Sequence, residues 1–424
     1  MNNRQHISHA TAATVVKPFF NYASLAFLVA LVLLLISSFK FPRHYFEPVL
    51  LTVTHIMALG WGTMMIIGSV YQLIPVFAEQ SLFSEKLAKI SFVLTATGIP
   101  LLSYGFLKFD MGMTMQAGAV LINLGVWVFF FNILFTVKKG KFSDIHAAYI
   151  VYSIVWLLLT AGIGLLLVLN FSLNILSKDS LYFLSFHAHI GIAGWFLLLV
   201  TGVAARLVPM FMISKYRNDR ILKVVLVLMN FSVICFALLF LMEMDEVFYL
   251  IPVGMIFSAL VMLARYFYQC RKMRLRKKTE APLKLSLLSL ALILLPVCSL
   301  ICMLIFNQSP SGQAALIQQY GFLIFFGWIS LIILGMSFKT IPFIIWNEQF
   351  RHFAGAGTVP QPSALYSKKL FNAMALIYMT GFVLFGLSIM GRWQPLMIFS
   401  SSLLLLSGCC YAVNIYRVQY SNMK

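Results

Sequence analysis

Three stretches of this chain repeat one pattern: Gly60-Trp61 with Gly68 and Pro75, Gly194-Trp195 with Gly202 and Pro209, and Gly327-Trp328 with Gly335 and Pro342. In every copy six residues separate the tryptophan from the second glycine, and six more separate that glycine from the proline. The tryptophans stand 134 and 133 residues apart, so a unit of about a third of the chain occurs three times. Counting six residues back from each tryptophan reaches His55, His189 and Phe322. Two copies thus carry an imidazole in an apolar stretch, and the third carries a phenyl ring.

Composition decides where such repeats can fold. Of 424 residues, 61% are hydrophobic and only 10% charged, with a mean hydropathy of +0.92. A water-soluble globule cannot hide that much apolar surface, whereas a bilayer accepts apolar runs of about 20 residues. The pattern predicts an all-α integral membrane protein with twelve transmembrane helices over 19–39, 48–77, 87–107, 112–136, 144–170, 181–211, 222–242, 246–268, 284–306, 312–344, 367–390 and 392–417. These group into three pseudo-equivalent four-helix repeats, about 19–136, 144–268 and 284–417, in a single membrane domain spanning 1–424, with 1–18 as a cytoplasmic N-terminal tail.

The net charge of +19 does not point to nucleic acid, because its distribution is lopsided along the chain. With the N-terminus inside, inner segments hold 24 of the 31 Lys and Arg, outer loops hold five, and Arg206 and Lys339 fall within spans. Such a bias is the positive-inside signal and places both termini in the cytoplasm. The densest basic run, Arg271 to Lys278 between helices 8 and 9, is read as a topology and anionic-lipid determinant. Helix 1 is read as a signal anchor, since the first apolar run is span-length and no small-residue cleavage site follows it. Cys235, Cys270, Cys298, Cys302, Cys409 and Cys410 all fall in spans or at their cytoplasmic edge, which argues against a disulfide framework. Cys298 and Cys302, at i and i+4, could hold a soft ion such as Cu(I); small residues buried at a helix contact are the simpler reading.

Ionisable groups inside a membrane are costly, which makes each a functional candidate. The candidates are His55 in helix 2, His187 and His189 in helix 6, Arg206 and Lys339; beyond Asp144 and Glu246 at the first position of their spans, no Asp or Glu is expected within a span. Helices 2 and 6 enter from outside, so the three histidines lie about 10 Å below the outer surface at 1.5 Å per residue. His187 and His189 are two residues apart, and two steps of about 100° turn their side chains nearly opposite ways. They therefore address different clefts, and His189, as the repeat equivalent of His55, is the one that pairs with it in role. A structural histidine bonded to a carbonyl or water is the alternative; neutral imidazole ligating haem iron or copper is the functional reading. Gln72, Arg206 and Lys339 each stand eleven residues after the repeat tryptophan, at the cytoplasmic end. They are read either as side chains snorkelling to the surface or as a polar inner ring that receives an anion or passes protons. The repeat tryptophan, glycines and proline are read as packing devices.

Twelve spans in groups of four, a histidine near the outer end of helix 2 and the sequences His55-Ile-Met-Ala-Leu-Gly-Trp-Gly and Phe186-His-Ala-His-Ile-Gly-Ile-Ala-Gly-Trp resemble subunit I of the haem-copper oxidases, including the divergent oxidase-like and NnrS-like proteins. The resemblance implies an oxidase subunit I-like fold and, for His55, the role of an axial ligand to low-spin haem. Helix 10 departs from the family: it reads Gln318-Gln319-Tyr320-Gly321-Phe322 where oxidases carry an H-x-H pair. Helix 7 has neither the copper histidines nor a tyrosine. The resemblance therefore implies haem or metal binding more than oxidase turnover, because a fold does not carry its function with it.

The resulting expectation is a haem-binding (b-type) or copper-binding protein of a bacterial inner membrane, with His55, His187 and His189 as ligands. It would serve respiratory or nitrosative metabolism in electron transfer, sensing or cofactor handling, with a redox or assembly partner protein and no nucleic acid. A metal or cofactor transporter is the alternative, and an oxidase or nitric oxide reductase subunit completed from elsewhere is a further one.

Overall fold

The computed structural model describes residues 11–42, 44–140, 144–306, 310–350 and 359–420. Twelve helices are long and apolar enough to cross a membrane: α1 (Ala13–Ser38), α2 (Pro48–Phe77), α3 (Glu85–Lys108), α4 (Met113–Lys139), α5 (Ile145–Leu173), α6 (Leu184–Met212), α7 (Asp219–Leu241), α8 (Glu246–Lys272), α9 (Ala281–Ile305), α10 (Gly312–Gln349), α11 (Lys368–Gly391) and α12 (Gln394–Tyr420). Among the described residues the only β-type pairing is one antiparallel bridge, Ser214 to Arg274. The widest boundary difference is at α1. It begins at Ala13, inside the stretch expected as a tail, because helix continues through Pro18; the first ten residues of that expected tail lie outside the described residues. The helices also run further than the apolar windows, so Glu85, Asp219 and Glu348 fall in terminal turns, contrary to the expectation of carboxylate-free spans.

Local chemistry sets several of these ends. Asp144 caps α5 by accepting from the backbone N–H of His146 at 2.8 Å and of Ala147 at 3.1 Å, and Asn218 caps α7 through Ile221 N–H at 3.1 Å. The repeat prolines close two helices in the same way. Gln80 N–H donates to Pro75 O at 3.0 Å and Ser214 N–H to Pro209 O at 2.9 Å, with Glu79 and Ile213 in the left-handed region at φ 50° and 51°. In the third copy, by contrast, the helix runs past Pro342 to Gln349.

One feature was not readable from periodicity. Each repeat helix switches to π geometry over the motif itself: Ile56–Thr63 in α2, Ile190–Leu197 in α6 and Leu323–Ile329 in α10. Such segments are rare and concentrate at functional sites. Each starts on the residue that follows His55, His189 or Phe322, and each contains the repeat tryptophan, whose side chain is at most 1% exposed.

These three helices are also the most enclosed. Over their apolar windows α2, α6 and α10 are 72%, 72% and 83% buried, against 22–44% for the other nine. Their second glycines explain how neighbours come so close. A methyl group at Gly68 would sit 2.9 Å from Phe19 Cβ on α1, at Gly202 2.2 Å from Tyr149 Cβ on α5, and at Gly335 2.3 Å from Ser286 Oγ on α9. In all three copies the glycine receives the helix that opens its repeat, as small residues do at membrane helix contacts.

The chain divides into two compact units. Among the described residues, one comprises 70–279 with 11 and 304–306, and so holds α3 to α8 and the end of α2. The other comprises the described residues of 12–69, 280–303 and 310–420, and holds α1, most of α2, and α9 to α12. In this second unit Trp61 stacks on Phe27 with ring centroids 4.4 Å apart, and its Nε1–H donates to Ser330 Oγ at 3.0 Å. The unit boundaries cut across the three expected repeats.

Candidate functional site

His55 belongs to the second unit and stands where α2 turns from α to π geometry. Its Nδ1 lies 2.8 Å from the carbonyl oxygen of Leu51, one turn back. His189, in the first unit, stands at the same junction in α6, with Nδ1 2.8 Å from Ser185 O. A carbonyl oxygen can only accept, so Nδ1 carries the proton in both rings and the lone pair of the neutral imidazole is on Nε2. Anchoring one ring nitrogen to a backbone carbonyl is the arrangement that orients a metal-ligating histidine. The two copies repeat it to the same distance.

His187 and His189 diverge, as an i, i+2 pair on a helix must. The His187 ring faces α5, where Cε1 lies 3.0 Å from the place a Cβ on Gly164 would occupy. His189 faces α7, its ring 5.4 Å from that of Phe236. Gly164 leaves room for an imidazole against its backbone, and Phe186, Phe236 and Phe240 form an aromatic wall beside His189.

The third copy has a different interior. Phe322 packs against Phe326, Phe382 and Phe385 at centroid distances of 5.1, 5.4 and 5.0 Å, and the phenyl cluster fills the position where the other copies place an imidazole. Beside it, Gln318 donates through Nε2 to Pro42 O at 3.0 Å, with its Oε1 buried.

The three polar positions at the other end of these helices stand in three settings. Gln72 is buried, 7% exposed, with Oε1 lacking a hydrogen-bond partner. Arg206 is exposed, with its guanidinium 6.0 Å from the Phe77 ring centroid. Lys339 is tied to Glu280 by a 2.5 Å ion pair. Gln72 and Arg206 belong to the first unit and Lys339 to the second.

Sequence reasoning passed over His146, although it lies inside the expected fifth span. It is 4% exposed, in the first turn of α5, and its Nδ1 donates to Gly202 O at 3.0 Å. The signal was its place two residues after Asp144, the cap that starts the helix. The cysteines correct a second expectation. Cys298 and Cys302 are exposed on the lateral face of α9, because the α9 side that packs on α10 is lined by Pro282 and Ser286 near its start. All six cysteines are free.

The donors present decide which groups fit. Each carbonyl-anchored histidine suits one axial bond to a haem iron, and at His189 the Phe236 ring stands beside that position. A copper centre of three protein ligands does not fit: among the described residues no three His, Cys, Asp or Glu side chains come together. The family model described as "Cytochrome C and Quinol oxidase polypeptide I" matches residues 7–244, more than half of the chain. The chain belongs to that family, the haem-copper oxidase subunit I proteins, whose members typically bind haem and copper. The match includes both histidine-bearing copies of the motif and ends before the copy that carries Phe322. No curated protein matches the chain.

Proposed function

We propose that this protein binds b-type haem in the membrane and serves electron transfer, sensing or cofactor handling in respiratory or nitrosative metabolism. The observation that carries the reading is the duplicated setting of His55 and His189, each at the start of a π segment with Nδ1 on the carbonyl four residues back. His55 and His189 would each supply an axial imidazole, and His187 would serve a separate position on the α5 side. Haem bound there would supply reversible one-electron chemistry; the protein's part is to fix each imidazole tautomer and, at His189, to set an aromatic wall beside it. The basic bias of the loops supports a bacterial inner membrane with both termini cytoplasmic, and a redox or assembly protein would be the partner. Oxygen or nitric oxide reduction is not part of the proposal, since α7 contains no histidine to complete a second metal centre.

The test is the visible spectrum of detergent-purified protein together with metal analysis. A Soret band with sharp reduced bands and iron in proportion to protein is expected. Copper or zinc without haem would displace this reading in favour of a second one, a metal or cofactor delivery pathway. That reading is favoured by the buried, unpartnered Oε1 of Gln72 at the inner end of α2.

A further inference from the structure

The segments that follow α6 and α8 are clipped together into a short antiparallel β-ribbon at one end of the first unit. Leu275 N–H donates to Ile213 O at 3.1 Å, Lys215 N–H to Met273 O at 3.3 Å and Arg276 N–H to Met212 O at 3.3 Å, around the Ser214–Arg274 bridge. Residues paired across the bridge lie on the same side, and exposure sorts the two sides. Ile213, Lys215, Met273 and Leu275 share one face, and Ser214 and Arg274 share the other. The three apolar residues of the first face are held outward, with Ile213 53%, Met273 50% and Leu275 60% exposed. Around them Arg271, Lys272, Arg276, Lys277 and Lys278 are exposed as well. The nearby acidic side chain of α7, Asp219, pairs with Arg217 at 2.9 Å.

Apolar side chains fixed outward by backbone pairing, inside a fringe of cations and at the end of membrane-spanning helices, match the boundary between acyl chains and phosphates. Lys and Arg at that depth are attracted to a negatively charged leaflet. A flexible basic loop would satisfy a topology rule equally well; the pairing of two loops into a ribbon with one apolar face is what that rule leaves unexplained. We propose that this ribbon is a binding site for anionic phospholipid, with Ile213, Met273 and Leu275 against the acyl region and the surrounding Arg and Lys on the headgroup phosphates.

The test uses the full-length protein in nanodiscs of phosphatidylcholine alone or with phosphatidylglycerol, and reads lysine acetylation by mass spectrometry. Lys272, Lys277 and Lys278 are expected to react several-fold more slowly in discs containing phosphatidylglycerol, while Lys138 and Lys139, in the last turn of α4, change less. Inorganic phosphate added to phosphatidylcholine discs should leave all five reactive. In native mass spectrometry the wild-type protein should retain phosphatidylglycerol in preference to phosphatidylcholine. The Ile213→Ser/Leu275→Ser variant and, separately, the Arg276→Gln/Lys277→Gln/Lys278→Gln variant should each lose that preference. Equal reactivity in both discs, or protection by phosphate alone, would overturn the proposal. So would protection that appears only when an acidic soluble protein is added, which would make the patch a protein-docking surface. The footprint is read on wild-type protein, so the proposal stays testable if a variant fails to fold.

Discussion

At the scale of single residues the chemistry rests on where imidazole protons sit. Removing a ligand loses more than removing the group that orients it, which itself costs roughly 10–100-fold in metal affinity. His55→Ala and His189→Ala are therefore each expected to lower haem content at least about tenfold, measured by pyridine haemochrome at equal monodisperse yield. Lys339→Ala, which breaks an ion pair with Glu280, should leave haem content near wild type. His187→Ala should shift the spectrum or remove a different metal, since that ring lies on the α5 side of the helix. Full haem and metal retention in both the His55 and His189 variants would make these residues structural. Counting back from the tryptophans was enough to find the two histidines and their phenylalanine counterpart. The carbonyl anchors were not legible, because they depend on a rotamer and on the local switch to π geometry, and neither leaves a compositional mark. His146 was legible from its place two residues after the capping Asp144, but it has no counterpart among the repeat positions.

Helices show the same division. Their existence and nearly all their limits follow from hydropathy, because desolvating a backbone in lipid leaves few alternatives to a helix. Which face packs was legible only at the repeat glycines, whose role as close-approach points is met in all three copies. Cys298 and Cys302 show where that logic stops: i, i+4 spacing puts two residues on one face without saying which way the face looks. Gly202→Val is expected to destabilise the protein by about 1–3 kcal/mol, because the added carbons meet Tyr149 Cβ and the α5 backbone would have to move. Gly162→Ala, where nothing lies within 4 Å of an added Cβ, should be neutral or slightly stabilising. Thermal unfolding of the two variants side by side checks both. If Gly202→Val melted like wild type, the close approach of α5 and α6 would be wrong.

At the scale of the molecule, orientation and turnover can be tested. A periplasm-dependent reporter fused after α8, within Arg271–Lys278, should be silent, and one at Glu243–Glu246 should be active. Swapped signals would invert the topology and put the three histidines at the other face. Purified, metal-replete protein with an artificial electron donor should consume oxygen or nitric oxide negligibly; sustained uptake abolished by His187→Ala would reinstate a catalytic second centre. The division into two units was beyond the sequence, because it is made by contacts between segments far apart in the chain. It also sets a timetable for biogenesis. The second unit opens with residues 12–69 and cannot be completed until the chain resumes it at 280. At about 5–20 residues per second, the ribosome takes roughly 10–40 s to make the intervening stretch. Throughout that interval Trp61 has been made and Ser330, which accepts its indole proton, has not. A nascent chain arrested after α8 should thus hold α1 and α2 in a protease-sensitive, chaperone-dependent state, while α3 to α8 already resist digestion.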